Sequence, residues 1–333
     1  MRWAIIGATN NDSLEFHLKD SLTFLGHEAK MFDLTFTDSG FGHVAHYWLR
    51  RFSDKYDILK AKRLAHQILE YNPDIVLGTY RFIHPLTIAI IKAENPSIIA
   101  IHLNPDALVN LEQQQIIASN YDFLFTKDPY MQYFLKEKAN LNAYYLPEAF
   151  NPRFHKPPVG NRIDLERKED IDILIFGNMY PYRVRIIQQV IKMGYKVKLY
   201  GIKGHYFPLD LNAYFMDWPI IDSEKSQKIW GSKIVLNCFH YAEIEGVNCK
   251  YFEINGIGGF QICDYKDILQ EYSPVNSKNY TFNSMNEGIE LIDYYLANPE
   301  KRYEIAETQR KHFLLNHTYE NRIESILKVI HNE

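Results

Sequence analysis

The chain has 333 residues, long for one hydrophobic core and comfortable for two. Its net charge of −4 at pH 7 argues against a protein built chiefly to hold nucleic acid, which would present a strongly basic face. Three cysteines, Cys238, Cys249 and Cys263, share no zinc-type spacing and leave one over if two pair, so no disulfide framework is expected and a reducing cytoplasm fits.

The opening MRWAIIGATNNDS holds an apolar stretch too short for a signal peptide and reads as a first strand over 2–8. No window approaches eighteen consecutive apolar residues, so no membrane-spanning helix is expected. A helix at 13–26, a strand at 28–34, a helix around 54–71, a strand at 74–79, a helix at 84–95 and strands at 97–103 and 123–128 follow. Strands alternating with helices imply parallel pairing through crossovers, which predicts a Rossmann-like domain over 1–150. Pro147, Pro152, Pro157 and Pro158 remove backbone donors and disfavour helix before them, marking a linker at 151–170. The grammar then repeats over 171–315: strands at 172–177, 195–201, 233–239 and 259–264, and helices at 182–194, 223–231 and 286–298. Residues 316–333 close the chain as a helix. The expected fold class is α/β, two Rossmann-like domains facing a cleft.

Residues 243–264, EIEGVNCKYFEINGIGGFQICD, carry Glu245 and Glu253 with seven residues between them. That spacing suits a glycine-containing loop opening into the first turns of a helix, with one carboxylate in the loop and the other about two turns in. A sugar nucleotide offers vicinal hydroxyls on its ribose and on its sugar, and an ionised carboxylate accepts two hydroxyl protons at each. Two solvated surface glutamates are the plainer alternative. The setting favours a ligand role, because the pair lies between two apolar strands, where α/β proteins place binding loops.

The runs SKIVLNCFHYAEIEGVNCKYFEINGIGGFQICDY (232–265), ILIFGNMYPYRVRII (173–187) and YYLANPEKRYEIAETQRKHFLLNHTYENR (294–322) together resemble the C-terminal half of CgeB-like glycosyltransferases, which are similar to retaining transferases of the two-domain GT-B fold. The resemblance implies a metal-independent, retaining enzyme without a cofactor. It would move a sugar from a nucleoside-diphosphate donor of UDP or GDP type to a hydroxyl of a glycan, lipid-linked or protein acceptor. It also implies a closing helix that packs back across the domain junction, and a role in polysaccharide biosynthesis. A sugar-nucleotide epimerase of the same fold and a non-catalytic sugar-nucleotide or glycan-binding protein are the rival readings.

Within that resemblance Glu253 would hold the ribose and Glu245 the donor sugar. Gly177 ends a strand, and Arg183 opens the next helix, where free amides and a positive dipole end suit a diphosphate. Asn178 stands where related transferases carry an arginine, and Lys250 is placed to replace that charge. Gly246, Val247 and Asn248 would donate to the phosphates, and Tyr200 and Gly201 lie where the family seats the nucleobase. Gly7, Thr9 and Asn10 follow the first strand without the second and third glycines of a dinucleotide fingerprint, so they read as an acceptor-facing turn, with a plain turn as the alternative. His102, Asp106 and Arg81 lie near strand ends and are candidates to orient the acceptor hydroxyl or act on its proton. Basic and aromatic residues over 46–63 could rest on anionic lipid at the inner face of a membrane, or form an exposed helix face. Asp170 and Asp172 resemble a metal-binding aspartate pair but run straight into a strand, so no metal site is expected.

Overall fold

The computed structural model describes residues 1–34, 49, 52–107 and 115–332. They form two compact units, one of residues 1–147 with 322–333 and one of residues 148–321.

The first unit runs β1 (Arg2–Gly7), α1 (Leu14–Phe24), β2 (Glu28–Asp33), α2 (Asp54–Tyr71), β3 (Ile75–Gly78), α3 (Pro85–Glu94), β4 (Ile99–Asn104), β5 (Phe123–Thr126), α4 (Pro129–Tyr133) and β6 (Ala143–Tyr145). The six strands lie in the order β2-β1-β3-β4-β5-β6, and each neighbouring pair is parallel. Such a sheet is covered on both faces, which is why Trp3 through Ile6 and Ile75 through Leu77 are buried without alternation. Local signals set the helix starts: the Ser13 and Ser53 hydroxyls accept from Phe16 N and Tyr56 N, and His84 caps α3 ahead of Pro85.

The second unit runs α5 (Arg162–Glu169), β7 (Ile171–Met179), α6 (Pro181–Lys192), β8 (Val197–Lys203), α7 (Asp222–Trp230), β9 (Ser232–Asn237), α8 (Cys249–Ile257), β10 (Gln261–Asp264), α9 (Leu269–Tyr272), β11 (Thr281–Phe282), α10 (Met285–Ala297) and α11 (Pro299–Asn316). The chain ends in α12 (Tyr319–Asn332). The sheet order is β11-β10-β9-β7-β8, again parallel throughout. The two parallel α/β sheets agree with the fold class read from the sequence. Six of these elements went unmarked there: α4, β6, α5, α9, β11 and the eighteen-residue α11. The strands β6 and β11 are only three and two residues long. The sequence of α5, RIDLERKE, is too polar to show a helical apolar stripe, and it lies inside the stretch read as linker.

In each sheet the strand order reverses once, between β1 and β3 in the first and between β7 and β9 in the second. At such a point the loops leaving adjacent strands diverge to opposite faces, opening a crevice at the carboxyl ends of the strands. Buried charge ties the second unit together below it. Arg302 of α11 is 2% exposed and donates to Tyr295 O at 2.8 Å and Lys233 O at 3.1 Å, with Glu166 at 3.6 Å. Among the described residues no helix is long and apolar enough to cross a membrane.

Helix α8 is buried on every side from Tyr251 to Ile257, and a Cβ on Gly256 would overlap ring carbons of Phe150. Gly256→Ala is therefore expected to lower stability by about 1–3 kcal/mol, the usual cost of overpacking a core. Urea denaturation checks it, and an unchanged midpoint would mean that Phe150 rotates away freely.

Candidate functional site

The reversal between β7 and β9 gathers most of the residues singled out in the second half. Gly177 pairs with Gly201 of β8, and both have positive φ, +108° and +133°. A Cβ on Gly201 would overlap the Gly177 carbonyl, so the close approach needs glycine there. A Cβ on Gly177 would lie 3.2 Å from both Arg183 Nη1 and Lys250 Nζ. Two cations, one from α6 and one from α8, thus converge over one bare Cα.

Arg183 is 2% exposed. Its Nη1 donates to Asn178 O at 2.6 Å, and its Nη2 to the Tyr180 hydroxyl at 2.7 Å and to Cys238 O at 2.9 Å. The guanidinium lies 4.4 Å from the centre of the Tyr180 ring, and its Nε is buried without an acceptor. Lys250 Nζ donates to Phe176 O at 3.1 Å. Burial of the amine, and then the neighbouring Arg183 charge, pull its pKa down to about 7. Both effects make the ammonium form costly at this position.

An amide network fixes the start of α8 beside these cations. The Asn248 side chain caps the helix by accepting from Tyr251 N, and it exchanges hydrogen bonds with Asn237 at 3.1 and 3.2 Å. Asn237 also donates to Gln261 Oε1, and Gln261 Nε2 to Tyr251 O. The preceding loop is clamped from the β10 side. Lys266 Nζ donates to Glu243 O and to Ile244 O, and Asp264 accepts from Phe239 N at 2.6 Å and from the Tyr182 hydroxyl at 2.9 Å. Burial raises the Asp264 pKa despite those bonds. In this loop Val247 is buried, whereas Glu245 is exposed.

Glu253 lies one turn farther along α8 and is 6% exposed. Its Oε2 accepts from Lys225 Nζ of α7 at 3.1 Å, and its Oε1 stands 3.7 Å from His155 Nε2. Because His155 Nδ1 accepts from Asn151 N at 3.1 Å, a neutral ring carries its proton on Nε2. The two glutamates therefore differ in kind: one belongs to a buried charge cluster, the other to an open loop.

In the first unit, Arg81 Nη1 and Asp106 Oδ1 lie 3.7 Å apart at the ends of β3 and β4, each side chain about one-third exposed. Thr9 donates to Asp33 Oδ2 at 2.6 Å, and Asn10 is exposed with its carbonyl accepting from Ser13 N. Gly7 has no room for a Cβ because Glu15 and Thr79 close over it. His102 is placed differently from the expected strand-end position: it is wholly buried, with its ring 5.1 Å from that of Tyr121. Burial takes its pKa to about 3, so it is a neutral imidazole in the core. Tyr200, 1% exposed, also points into the core, leaving Gly201 and the backbone beyond it at the strand end. Asp170 and Asp172 sit at the opposite, amino end of β7, where Lys196 engages Asp170 and Lys233 engages Asp172. Of the basic stretch over 46–63, residues 46–48, 50 and 51 lie outside the described residues. Its α2 portion exposes Lys55, Lys62, Arg63 and Leu59.

Sequence reasoning passed over Lys225, Lys266 and Glu15. Lys225 sits four residues before the fully buried Ile229 on α7, so it falls on the core face of a short polar helix. Glu15 reads as an ordinary first-turn acid, yet it is buried and accepts from Ala8 N at 3.1 Å and the Thr79 hydroxyl at 2.7 Å. For Lys266 the sequence gives no signal.

Residues 164–328 match a family model described as glycosyl transferase-like. The spore protein CgeB of Bacillus subtilis (strain 168) is 24% identical over 230 residues, 63% of this chain and 68% of its own. Among solved structures, sucrose-phosphate synthase (tll1590) from Thermosynechococcus elongatus is similar with a TM-score of 0.67 and 11% identity, covering 100% of this chain and 98% of its own. Anabaena Alr3699/HepE, solved in complex with UDP and glucose, is similar with a TM-score of 0.67 and 10% identity over 100% of both chains. At such identities the likeness to the solved structures is one of fold.

Lys225→Met should cost about 3–5 kcal/mol, because it leaves Glu253 charged and buried without its cation. Urea unfolding reads the loss, and adding Glu253→Gln should return part of it. A single variant as stable as the parent would show that Glu253 does not depend on Lys225.

Proposed function

With a C-terminal region of the glycosyl transferase-like family, a GT-B fold and a kinship to CgeB as its premise, we propose that this protein transfers a sugar from a nucleoside-diphosphate sugar to an acceptor hydroxyl, with retention and without a metal ion. The observation that carries this reading is the pair of cations, Arg183 and Lys250, meeting over Gly177 at the strand reversal. The acceptor class stays open among glycans, lipid-linked hydroxyls and proteins. HepE, solved with UDP and glucose, supports a UDP-type donor by analogy of fold alone.

Lys250 has three donors and spends one on Phe176 O, so two remain for phosphate oxygens above Gly177. Arg183 is held rigidly by carbonyls and a tyrosine hydroxyl, and contributes a fixed positive charge beneath the same spot. The first-turn amides of α8 face the same region with the positive end of the helix dipole. As the bond from sugar to diphosphate breaks, negative charge grows on the leaving oxygen. A preorganised cationic site stabilises that charge more than the ground state. These groups replace a divalent cation. The leaving phosphate takes the acceptor proton. Glu253 holds the ribose hydroxyls, and the exposed Glu245 reaches the donor sugar. On the acceptor side Asp106, oriented by Arg81, takes precedence over the buried His102.

Because a bound diphosphate favours the ammonium form of Lys250, donor affinity should be highest below about pH 7 and fall as the pH rises through that value. Above neutrality, binding should take up a proton. Calorimetry with a sugar nucleotide, in two buffers of unequal ionisation enthalpy, measures the uptake, which Lys250→Met should abolish. Binding without proton uptake in the parent protein would remove Lys250 from the phosphate site.

Turnover should survive EDTA, and NMR of the product should show the donor's anomeric configuration. Activity lost to EDTA and restored by manganese would overturn the cationic site, and an inverted product would require a true general base. Arg183→Ala should lower kcat more than donor affinity, which steady-state kinetics resolves.

A further inference from the structure

On the helical side of the second unit, at the C-terminal end of α8, a cavity of about 440 Å³ opens between α5, α7 and α11. Its volume falls within the range of small-molecule sites. Two arginines line it, Arg162 and Arg310, and each keeps a buried nitrogen with no acceptor: Nη2 of Arg162 and Nε of Arg310. Unmet guanidinium donors out of reach of solvent are costly, and an oxyanion is the group that satisfies them best.

The charges around the cavity point the same way. Glu166 is already engaged by Arg162 Nε at 3.0 Å, by the Tyr303 hydroxyl at 2.9 Å and by Arg302 Nη1 at 3.6 Å. Glu307 stands 3.5 Å from Lys311. Among the described residues Arg310 has no carboxylate within ion-pair distance, so the wall retains surplus positive charge. Burial, together with the charge of Arg302, lowers the Arg162 pKa against the pull of Glu166, as expected where cations crowd. Trp230 lines this cavity and also a second one of about 340 Å³, whose wall includes Asn161, Lys168 and Gln227. An indole face flanked by amides and an ammonium is suited to a hydroxyl-rich ring, apolar on one face and hydrogen-bonding at its rim.

We propose that this pair of cavities binds an anionic saccharide, its phosphate or carboxylate drawn to Arg162 and Arg310 and its ring laid against Trp230. The site is separate from the one over Gly177 and does not depend on the proposed transfer reaction.

Calorimetry on the full chain with glucose 6-phosphate, glucuronate, glucose and inorganic phosphate tests the assignment. At least one of the two anionic sugars should bind saturably and more tightly than either glucose or phosphate, and excess UDP should leave that affinity unchanged. Which of the two binds identifies the anion. Arg310→Gln should weaken binding by about tenfold or more, the loss of a charge-assisted hydrogen bond. Glu307→Gln, at an exposed position on the same wall, should strengthen it, which keeps the test decisive if the arginine variant fails to fold. No saturable binding of either anionic sugar would overturn the proposal. So would inorganic phosphate binding as tightly as the sugars, displacement by UDP, or affinities that neither substitution moves.

Discussion

The close approach of Gly177 to Gly201 is the constraint from which the rest of the second unit's site follows. Parallel strands β7 and β8 come together there in a conformation that side chains other than hydrogen cannot share. The missing Cβ on Gly177 is what lets Arg183 and Lys250 converge beside the strand reversal. Arg183 then ties the turn after β7 to the end of β9 through Asn178 O and Cys238 O. One backbone contact therefore sets the position of two charges and of the loops around them.

Charges taken out of water need partners, and the chain meets this requirement in two ways. Arg302 and Glu169 are engaged within the protein, by carbonyls and carboxylate in one case and by Lys228 and Gln227 in the other. These groups hold architecture. Lys250 and the Arg162–Arg310 pair are left short of partners, with a depressed amine at the first site and orphan donors at the second. Incomplete satisfaction of buried cations thus occurs in this protein at opposite ends of the same helix.

Much of this was legible in the sequence because parallel strands buried on both faces announce themselves as apolar runs, and helix starts carry Ser, Asn or Pro. Strand β7, helix α6 and helix α8 fall where ILIFG, YRVRII and the glutamate block place them. What stayed hidden depends on rotation and depth, which spacing does not encode. His102 and Tyr200 occupy strand positions that look alike from either face, and both turn inward. Lys225 and Lys266 act through contacts with residues 28 and 22 or 23 positions away, and no local pattern advertises such a pairing. The polar α5 forms without an apolar stripe, its start set by the Asn161 cap and its packing by the buried Glu166 and Glu169.

Helix α8 is buried on all its faces from Tyr251 to Ile257, between a capping asparagine and a left-handed glycine, Gly258. Packed in this way it cannot tilt, slide or unwind without disturbing its neighbours, and it stands as a stiff rod roughly 13 Å long. At one end stand Lys250 and the Asn248 amide network, and at the other the Gly258 carbonyl held by Arg162. Both ends are pinned by these bonds as well as by the packing along the sides. A rod that cannot shift carries no displacement from one end to the other, so by reciprocity a ligand at either end leaves affinity at the other as it was.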